Sequence, residues 1–270
     1  LDDAAPRRPE GAILSLADRL DTQAGMFLVG EVPTGSRDPY GLRRSVQGAC
    51  RILLERSVRV DLNALLGAAL DGYGDPPIAD ALPRAQAHES LMEFWRARQE
   101  HLAVEAGLPA DVVRAALEAG ASDPSDARLR MQAVSAFRRT PGFDDLAAAH
   151  KRIRNILAGQ AAGAAFDPAH LREAEERALG QALASARPLV EGAARRQEYG
   201  RALEAIARLR EPLDRFFKSV MVMSEDRVLR ANRLSLLRDL AALFLEVADF
   251  GSLAPAVASN PVAPNTRKEE

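Results

Sequence analysis

The clearest helical pattern in the chain lies in residues 213–250, LDRFFKSVMVMSEDRVLRANRLSLLRDLAALFLEVADF. On a wheel of about 100° per residue, the apolar side chains of its second half fall in one arc: Leu229, Leu236, Leu237, Leu240, Leu243, Phe244, Val247 and Phe250. Charged side chains fall on the opposite, solvated side: Arg227, Arg230 and Arg238. Ser224 is a suitable N-cap, and Glu225 and Asp226 supply acids in the first turn. The pattern predicts an amphipathic helix that begins after Ser224.

Three residues of this helix depart from the division between faces. Asn232 and Arg233 project to the two flanks of the apolar arc. A guanidinium there costs desolvation unless it is paired, so these residues either bond within the domain or contact a ligand. Leu234 lies on the charged side, which predicts a neighbouring helix or partner there.

The same criteria predict helices in most of the remaining chain: 11–28, a segment opened by Asp38 and Pro39, 61–72, 91–106, 110–119, 144–157, 168–185 and 186–209. Ala, Leu and Arg dominate and aromatic residues make up 5%, which favours helices over sheets. The predicted fold class is therefore all-α.

In helix 11–28, the side chains expected to face inward recur at helical spacing: Ile13, Leu16, Leu20, Ala24 and Phe27. Asp18 and Asp21 are three apart and share another face. Two carboxylates so placed could hold a hard cation or act as a general base, although a metal site needs more ligands. The alternative is that both are solvated or paired with Arg.

Helix 144–157 has two chemically different faces. Its expected buried stripe is apolar apart from one histidine: Leu146, His150, Ile153 and Leu157. Asp144 is the expected cap. Lys151, Arg152 and Asn155 form the opposite face, and these residue types bind phosphate oxygens and base edges. A solvated charged face has the same pattern, so both interpretations stay open at this point.

Composition narrows the possibilities further. With 47% hydrophobic and 27% charged residues, the chain can bury a core, and its net charge of −2 excludes a uniformly basic nucleic-acid binder. Cys50 is the single cysteine, lies in an apolar pattern and is expected to be a core thiol. Trp95 is expected to be a core or domain-junction anchor rather than a base-stacking platform. We find no signal peptide or membrane-length apolar run, and the start at Leu1 suggests a fragment.

Three stretches carry a resemblance to one family. FFKSVMVMSEDRVLRANRLSLLRDLAALFLEVADF resembles the C-terminal signature of the bacterial glycyl-tRNA synthetase β subunit, which closes an anticodon-binding domain similar to that of arginyl-tRNA synthetase. SDARLRMQAVSAFR and FDDLAAAHKRIRNIL resemble the start of that domain. ADRLDTQAGMFLVGEVPTGSRDPYGLRRSVQGACRILLE resembles the second half of the family's HD-type helical domain. Gln23 departs from an apolar family pattern, which predicts that its side of the helix is less buried.

The resemblance implies a domain order and a set of candidate residues. It predicts the end of an HD-type domain at 1–58, a helical linker region at 59–125 and a DALR-like anticodon-binding helical domain at 126–254. Residues 255–270 have too little apolar content to fold, which predicts a disordered tail. The candidate tRNA contacts are Lys151, Arg152, Arg154, Asn155, Arg230, Asn232 and Arg233. Candidates in the HD-type remnant and its following loop are Asp18, Asp21, Arg37, Arg43 and Arg44.

The resemblance also implies a division of labour. ATP, Mg²⁺, glycine and the activation chemistry would belong to a separate α subunit. The expected complex is a cytoplasmic heterotetramer of two α and two β subunits that binds tRNA-Gly. No membrane partner is expected. The usual metal-binding histidines of HD folds would lie upstream of Leu1, so no metal site or catalytic residue is expected in this chain. Two alternatives are an HD-type phosphohydrolase fragment and a helical scaffold without RNA binding.

Overall fold

A computed structural model describes residues 5–74, 81–120, 122–161 and 165–254. Within these ranges the chain forms eleven α-helices and two short 3-10 turns, with no β-strand. Thr34 and Arg37 form an isolated antiparallel bridge in a loop. The prediction of an all-α fold is confirmed, whereas the predicted tail at 255–270 lies outside the described residues.

The first five helices are α1 (Pro9–Leu28), α2 (Leu42–Glu55), α3 (Leu62–Asp71), α4 (Arg84–Glu105) and α5 (Ala110–Glu118). The other six are α6 (Pro124–Phe137), α7 (Phe143–Leu157), α8 (Ala174–Arg195), α9 (Tyr199–Ala207), α10 (Arg210–Ser219) and α11 (Arg227–Leu245). The 3-10 turns are Pro168–His170 and Phe250–Ser252. Among these described helices, none has the length and apolar character needed to cross a membrane.

Helices α1 to α4 pack around one core. Phe27, Leu53 and Trp95 are fully buried in it, so the prediction that Trp95 is a core anchor is confirmed. Cys50 is buried in the same core, and this burial raises the pKa of its thiol to about 12. A thiol that does not ionise near neutral pH is unreactive, as expected from the sequence.

Two expectations for α1 are wrong. The Gln23 side of the helix is fully buried, because the amide exchanges hydrogen bonds with polar partners inside the core. Trp95 Nε1–H donates to Gln23 Oε1 at 2.8 Å, and Gln23 Nε2 donates to Ser45 Oγ at 2.9 Å. Ile13 does not face inward but is 67% exposed, since contact with the core begins only at Leu16.

A second core lies among α5 to α11. Its centre is the apolar arc of α11, in which Leu236, Leu240 and Phe244 are fully buried. Leu234 also lies in this core and is 5% exposed. The predicted burial of Leu234 against a neighbouring element is therefore confirmed.

The boundaries of α8 and α9 differ from those predicted. The expected helices 168–185 and 186–209 are replaced by the turn Pro168–His170, the helix Ala174–Arg195 and the helix Tyr199–Ala207. α8 continues through Pro188, and the chain turns instead at Gln197, whose φ of 59° is left-handed. A break at a non-glycine residue gives no glycine or proline signal in the sequence.

Three helix starts also need correction. Asp226, not Ser224, caps α11: its carboxylate accepts the Val228 and Leu229 N–H groups at 3.0 and 3.1 Å. α7 begins after Gly142, at φ 84°, and not with a cap from Asp144. α2 begins at Leu42 rather than at Pro39, although the Asp38 carboxylate still accepts the Leu42 N–H at 2.8 Å.

The two cores are joined through α5 and α6. The Asp249 N–H donates to the Ala115 carbonyl at 2.9 Å, and the Ser125 hydroxyl donates to the Val58 carbonyl at 3.1 Å. Val112 and Ala115 of α5 contribute to the second core, although the expected linker region includes them. The domain boundaries at 58, 125 and 254 stay predictions.

Asp126 is the centre of a polar network at this junction. Its carboxylate accepts hydrogen bonds from Arg130 Nε at 2.6 Å, the Tyr199 hydroxyl and Gln197 Nε2. Burial acts to raise the pKa of Asp126, but these three donors hold it below the usual value. Arg130 also donates to the Glu246 carbonyl at 2.6 Å, so the network ties α6 to α9 and to the end of α11.

A buried ion pair fixes α11 against α8. Arg233 is 3% exposed, and its Nε donates to Glu176, which is fully buried. Its other nitrogens donate to Glu173 Oε1 and to the Met221 carbonyl, both at 2.6 Å. The second Glu176 oxygen accepts the backbone N–H groups of Arg172 and Glu173 at the start of α8. One contact therefore holds α11, the α8 N-terminus and the segment before α11.

His150 faces the second core from α7. It is 1% exposed and lies over Phe244 at 4.7 Å between ring centroids, and neither ring nitrogen has a hydrogen-bond partner among the described residues. Burial lowers the pKa of His150 to about 4, against the pull of Asp249, whose Oδ1 lies 4.0 Å from Nδ1; the Arg154 charge lowers it further. The expectation of a buried histidine is confirmed.

Replacing Arg233 with Met should lower the free energy of unfolding by about 3–5 kcal/mol, because the Glu176 carboxylate stays buried without a counter-charge. R233M/E176Q should recover part of this decrease, since no buried charge remains. The measurement is urea denaturation. Arg230→Met, on the same helix but without a described ion pair, is the control and should change stability by about 0.5 kcal/mol at most. Equal stability of R233M and R230M would contradict this account.

The stability of the protein should depend on pH through His150. Its folded-state pKa of about 4 lies below the usual 6.5, so the unfolded chain binds more protons between these values. The contribution is complete above pH 6.5 and disappears as pH falls towards 4, by about 3 kcal/mol at most. His150→Phe should remove this part of the pH dependence in denaturant titrations, whereas the exposed control H101Q should not. Identical pH profiles for H150F and the parent would refute the assignment.

Candidate nucleic-acid interface

Helix α7 presents one face to the core and the other to solvent. The buried side chains are Phe143, Leu146, His150 and Ile153, with Leu157 partly buried, so the predicted stripe is confirmed. Lys151, Arg152 and Asn155 are exposed on the outer side. The three residues predicted to contact RNA therefore lie together on one accessible helix face, which we call the α7 outer face.

The two cations of the α7 outer face form no ion pair with a described carboxylate. Lys151 and Asn155 form no ion pair or side-chain hydrogen bond with any residue that the structure describes. The Arg152 guanidinium instead lies 4.4 Å from the centroid of the Phe217 ring. Arg154 differs from them, because it pairs with Asp249 next to the second core. Lys151 and Arg152 are thus available to a phosphate, whereas Arg154 already has a partner.

Helix α10 lies beside α7 and forms a groove with it of about 670 Å³. The other cations along this groove are paired: Arg210 with Asp145 at 3.0 Å, and Lys218 with Asp214 at 2.7 Å. Exposed pairs of this kind contribute only about 0–1 kcal/mol to stability, and they leave Arg152 as the lining cation without an ion pair to a described carboxylate.

The candidate residues of α11 have different environments. Asn232 Oδ1 accepts the Asp167 N–H at 2.8 Å, and its Nδ2 donates to the Asp167 carbonyl at 2.9 Å. Arg233 is buried in the ion pair with Glu176. The structure thus shows internal bonding for both residues, which is the first of the two alternatives predicted for them, and direct tRNA contact by Asn232 and Arg233 stays a prediction that these bonds disfavour. Arg230 is half-buried and has no ion-pair partner among the described residues.

The candidates near the N-terminus lie on α1, in the loop before α2 and at the start of α2. Asp18 and Asp21 are both exposed, and no group of three or more possible metal ligands occurs within the described ranges. Arg43 Nη2 donates to the Gly35 carbonyl at 2.8 Å and so stabilises the loop before α2. Arg37 and Arg44 are exposed on the same loop and helix start.

Two residues of functional interest were missed in the sequence. Phe217 follows the buried Phe216, and its side chain points about 100° further round the helix, away from the face that carries Leu213 and Phe216. That spacing was a usable signal that Phe217 lies at the rim of the core. Glu176 gave a weaker signal, as the third residue after Glu173 at a helix start. Neither signal identified the guanidinium that each residue contacts.

Two family models match separate parts of the chain. The model of the glycyl-tRNA synthetase beta subunit matches residues 1–118, and the model of the DALR anticodon binding domain matches residues 146–247. The second match includes the α7 outer face, α10 and nearly all of the α11 arc. It begins close to the start of α7.

Curated relatives extend the match across both parts. A glycine–tRNA ligase beta subunit from Acinetobacter baumannii is 42% identical over 253 residues, which is 93% of this chain and 36% of that protein. The beta subunit from Desulforudis audaxviator is also 42% identical, over 90% of this chain and 35% of its own length. The chain thus spans about a third of the relatives it matches. Over the residues that these comparisons align, the chain belongs to the glycyl-tRNA synthetase β-subunit family.

Proposed function

We propose that this chain is the tRNA-binding part of a glycine–tRNA ligase β subunit, and that it binds tRNA-Gly at the anticodon arm. The observation that carries the proposal is the α7 outer face. It exposes Lys151 and Arg152 without a described carboxylate partner, and it lies in the segment matched by an anticodon-binding family model.

The proposed mechanism is positional. Lys151 and Arg152 neutralise phosphates of the anticodon arm, and Asn155 offers an amide to a base edge. The chain carries a net charge of −2, so attraction comes from the local field of this face and not from the whole surface. Binding the arm rigidly holds the distant acceptor end in place, which lowers the entropic cost of the transfer step.

The chemistry itself is assigned to another polypeptide. The relatives are named β subunits, which supports a second kind of subunit as partner. We propose an α subunit that binds ATP, Mg²⁺ and glycine, in a cytoplasmic complex of two α and two β subunits. This chain alone would then bind tRNA-Gly without glycylating it.

The test is binding of fluorescently labelled tRNA-Gly at several salt concentrations. The unaltered chain should bind tRNA-Gly more tightly than tRNAs that differ only in the anticodon. K151A/R152A should bind more weakly, and the slope of log affinity against log salt should fall by about one for each phosphate that is no longer neutralised. Arg201→Ala is the control, because Arg201 is exposed on α9 and paired with Glu198.

Two results would contradict the proposal. Equal affinity for tRNAs with different anticodons would show that the chain does not recognise the anticodon arm of tRNA-Gly. An unchanged salt slope in K151A/R152A would show that the α7 outer face is a solvated surface without a role in RNA binding.

A further inference from the structure

Arg152 of α7 contacts the ring of Phe217 of α10 at the surface of the protein. Phe216 fills the core and is fully buried, whereas Phe217 is only partly buried and meets Phe216 edge-on at 5.5 Å. One surface of the Phe217 ring is covered by the Arg152 guanidinium, whose centre lies 4.4 Å from the ring centroid. The Arg152 side chain is itself exposed. An exposed guanidinium therefore lies over an aromatic ring, and both side chains line the groove between α7 and α10.

The charges around this surface are already balanced. Three cationic and three anionic side chains line the groove: Arg152, Arg210, Lys218, Asp145, Glu211 and Asp214. Asp145 and Asp214 pair with Arg210 and Lys218, so Arg152 is the lining cation without an ion pair to a described carboxylate. A phosphate or an acidic peptide would meet three carboxylates inside the groove. A neutral, flat ligand avoids that repulsion and still makes contact with the guanidinium.

We propose that the groove between α7 and α10 receives one unpaired nucleobase of the bound RNA, stacked on the outer surface of the Arg152 guanidinium. This inference rests on the proposed function. Phe217 acts as the positioning residue, because its ring contacts the guanidinium at 4.4 Å, and Lys151 supplies charge for a flanking phosphate. Unpaired bases stack on guanidinium planes and aromatic rings in many RNA-binding proteins.

Substitutions at Arg152 and Phe217 can separate the contribution of base stacking from the contribution of charge attraction to phosphates. A guanidinium is planar and weakly hydrated, whereas a lysine ammonium is a compact, strongly hydrated charge that offers no plane. Arg152→Lys therefore keeps the charge and removes the stacking surface. Phe217→Leu keeps apolar volume at the rim and removes the ring beneath the guanidinium. Neither change alters the number of charges available to phosphates.

The experiment uses the 270-residue chain and RNA hairpins with the anticodon stem-loop sequence of tRNA-Gly. Each hairpin carries 2-aminopurine at one loop position, so its fluorescence reports the stacking of that base. We expect one position to change fluorescence when the unaltered chain binds, and not when R152K or F217L binds. R152K should weaken binding about tenfold with an unchanged salt slope, whereas K151A should lower the slope by about one.

Arg215→Lys is the matched control. Arg215 is exposed on α10 and paired with Glu211, and it should give the parent's affinity and fluorescence response. R152K alters an exposed side chain, so it decides the question even if F217L does not fold. Binding by R152K with the parent's affinity and the same fluorescence change would overturn the stacking site and leave the proposed function intact. Failure of the unaltered chain to bind any hairpin or tRNA-Gly would overturn both.

Discussion

Arg233 and Glu176 meet inside the protein, where either charge alone would be costly. The pair is completed by hydrogen bonds to backbone groups at the start of α8 and to the Met221 carbonyl, so it joins three segments that are distant in sequence. With α11 fixed in this way, its leucines occupy the second core and α7 packs on them through the side that carries His150. The accessible surface of α7 follows from that arrangement.

The candidate interface depends on a difference between cationic side chains that pair with carboxylates of the protein and cationic side chains that are exposed without such a pair. Arg233 and Arg154 hold carboxylates of the protein, whereas Lys151 and Arg152 have none among the described residues. Phe217 adds an aromatic surface beneath one of these cations. A chain with a net charge of −2 can therefore present a local cationic face, because most of its other charges near α7 and α10 are paired.

Much of this fold could be predicted from the sequence because helical spacing records which side of a helix is buried. The arc of α11 and the two faces of α7 followed from that spacing alone. Polar partners could not be predicted, since Gln23 and Trp95 are 72 residues apart and Arg233 and Glu176 are 57 apart. The break at Gln197 was missed because a left-handed residue other than glycine gives no sequence signal. Arg152 was found as a charge, but its stack on Phe217 required the packing of α7 against α10.

Lysine footprinting tests the central claim most directly, because Lys151 is one of only three lysines in the chain and its acetylation can be followed by mass spectrometry. If the α7 outer face grips tRNA, saturating tRNA-Gly should slow acetylation of Lys151, and added salt that dissociates the complex should restore the rate. Acetylation of Lys151 at the same rate with and without bound tRNA-Gly would show that RNA lies elsewhere on the protein.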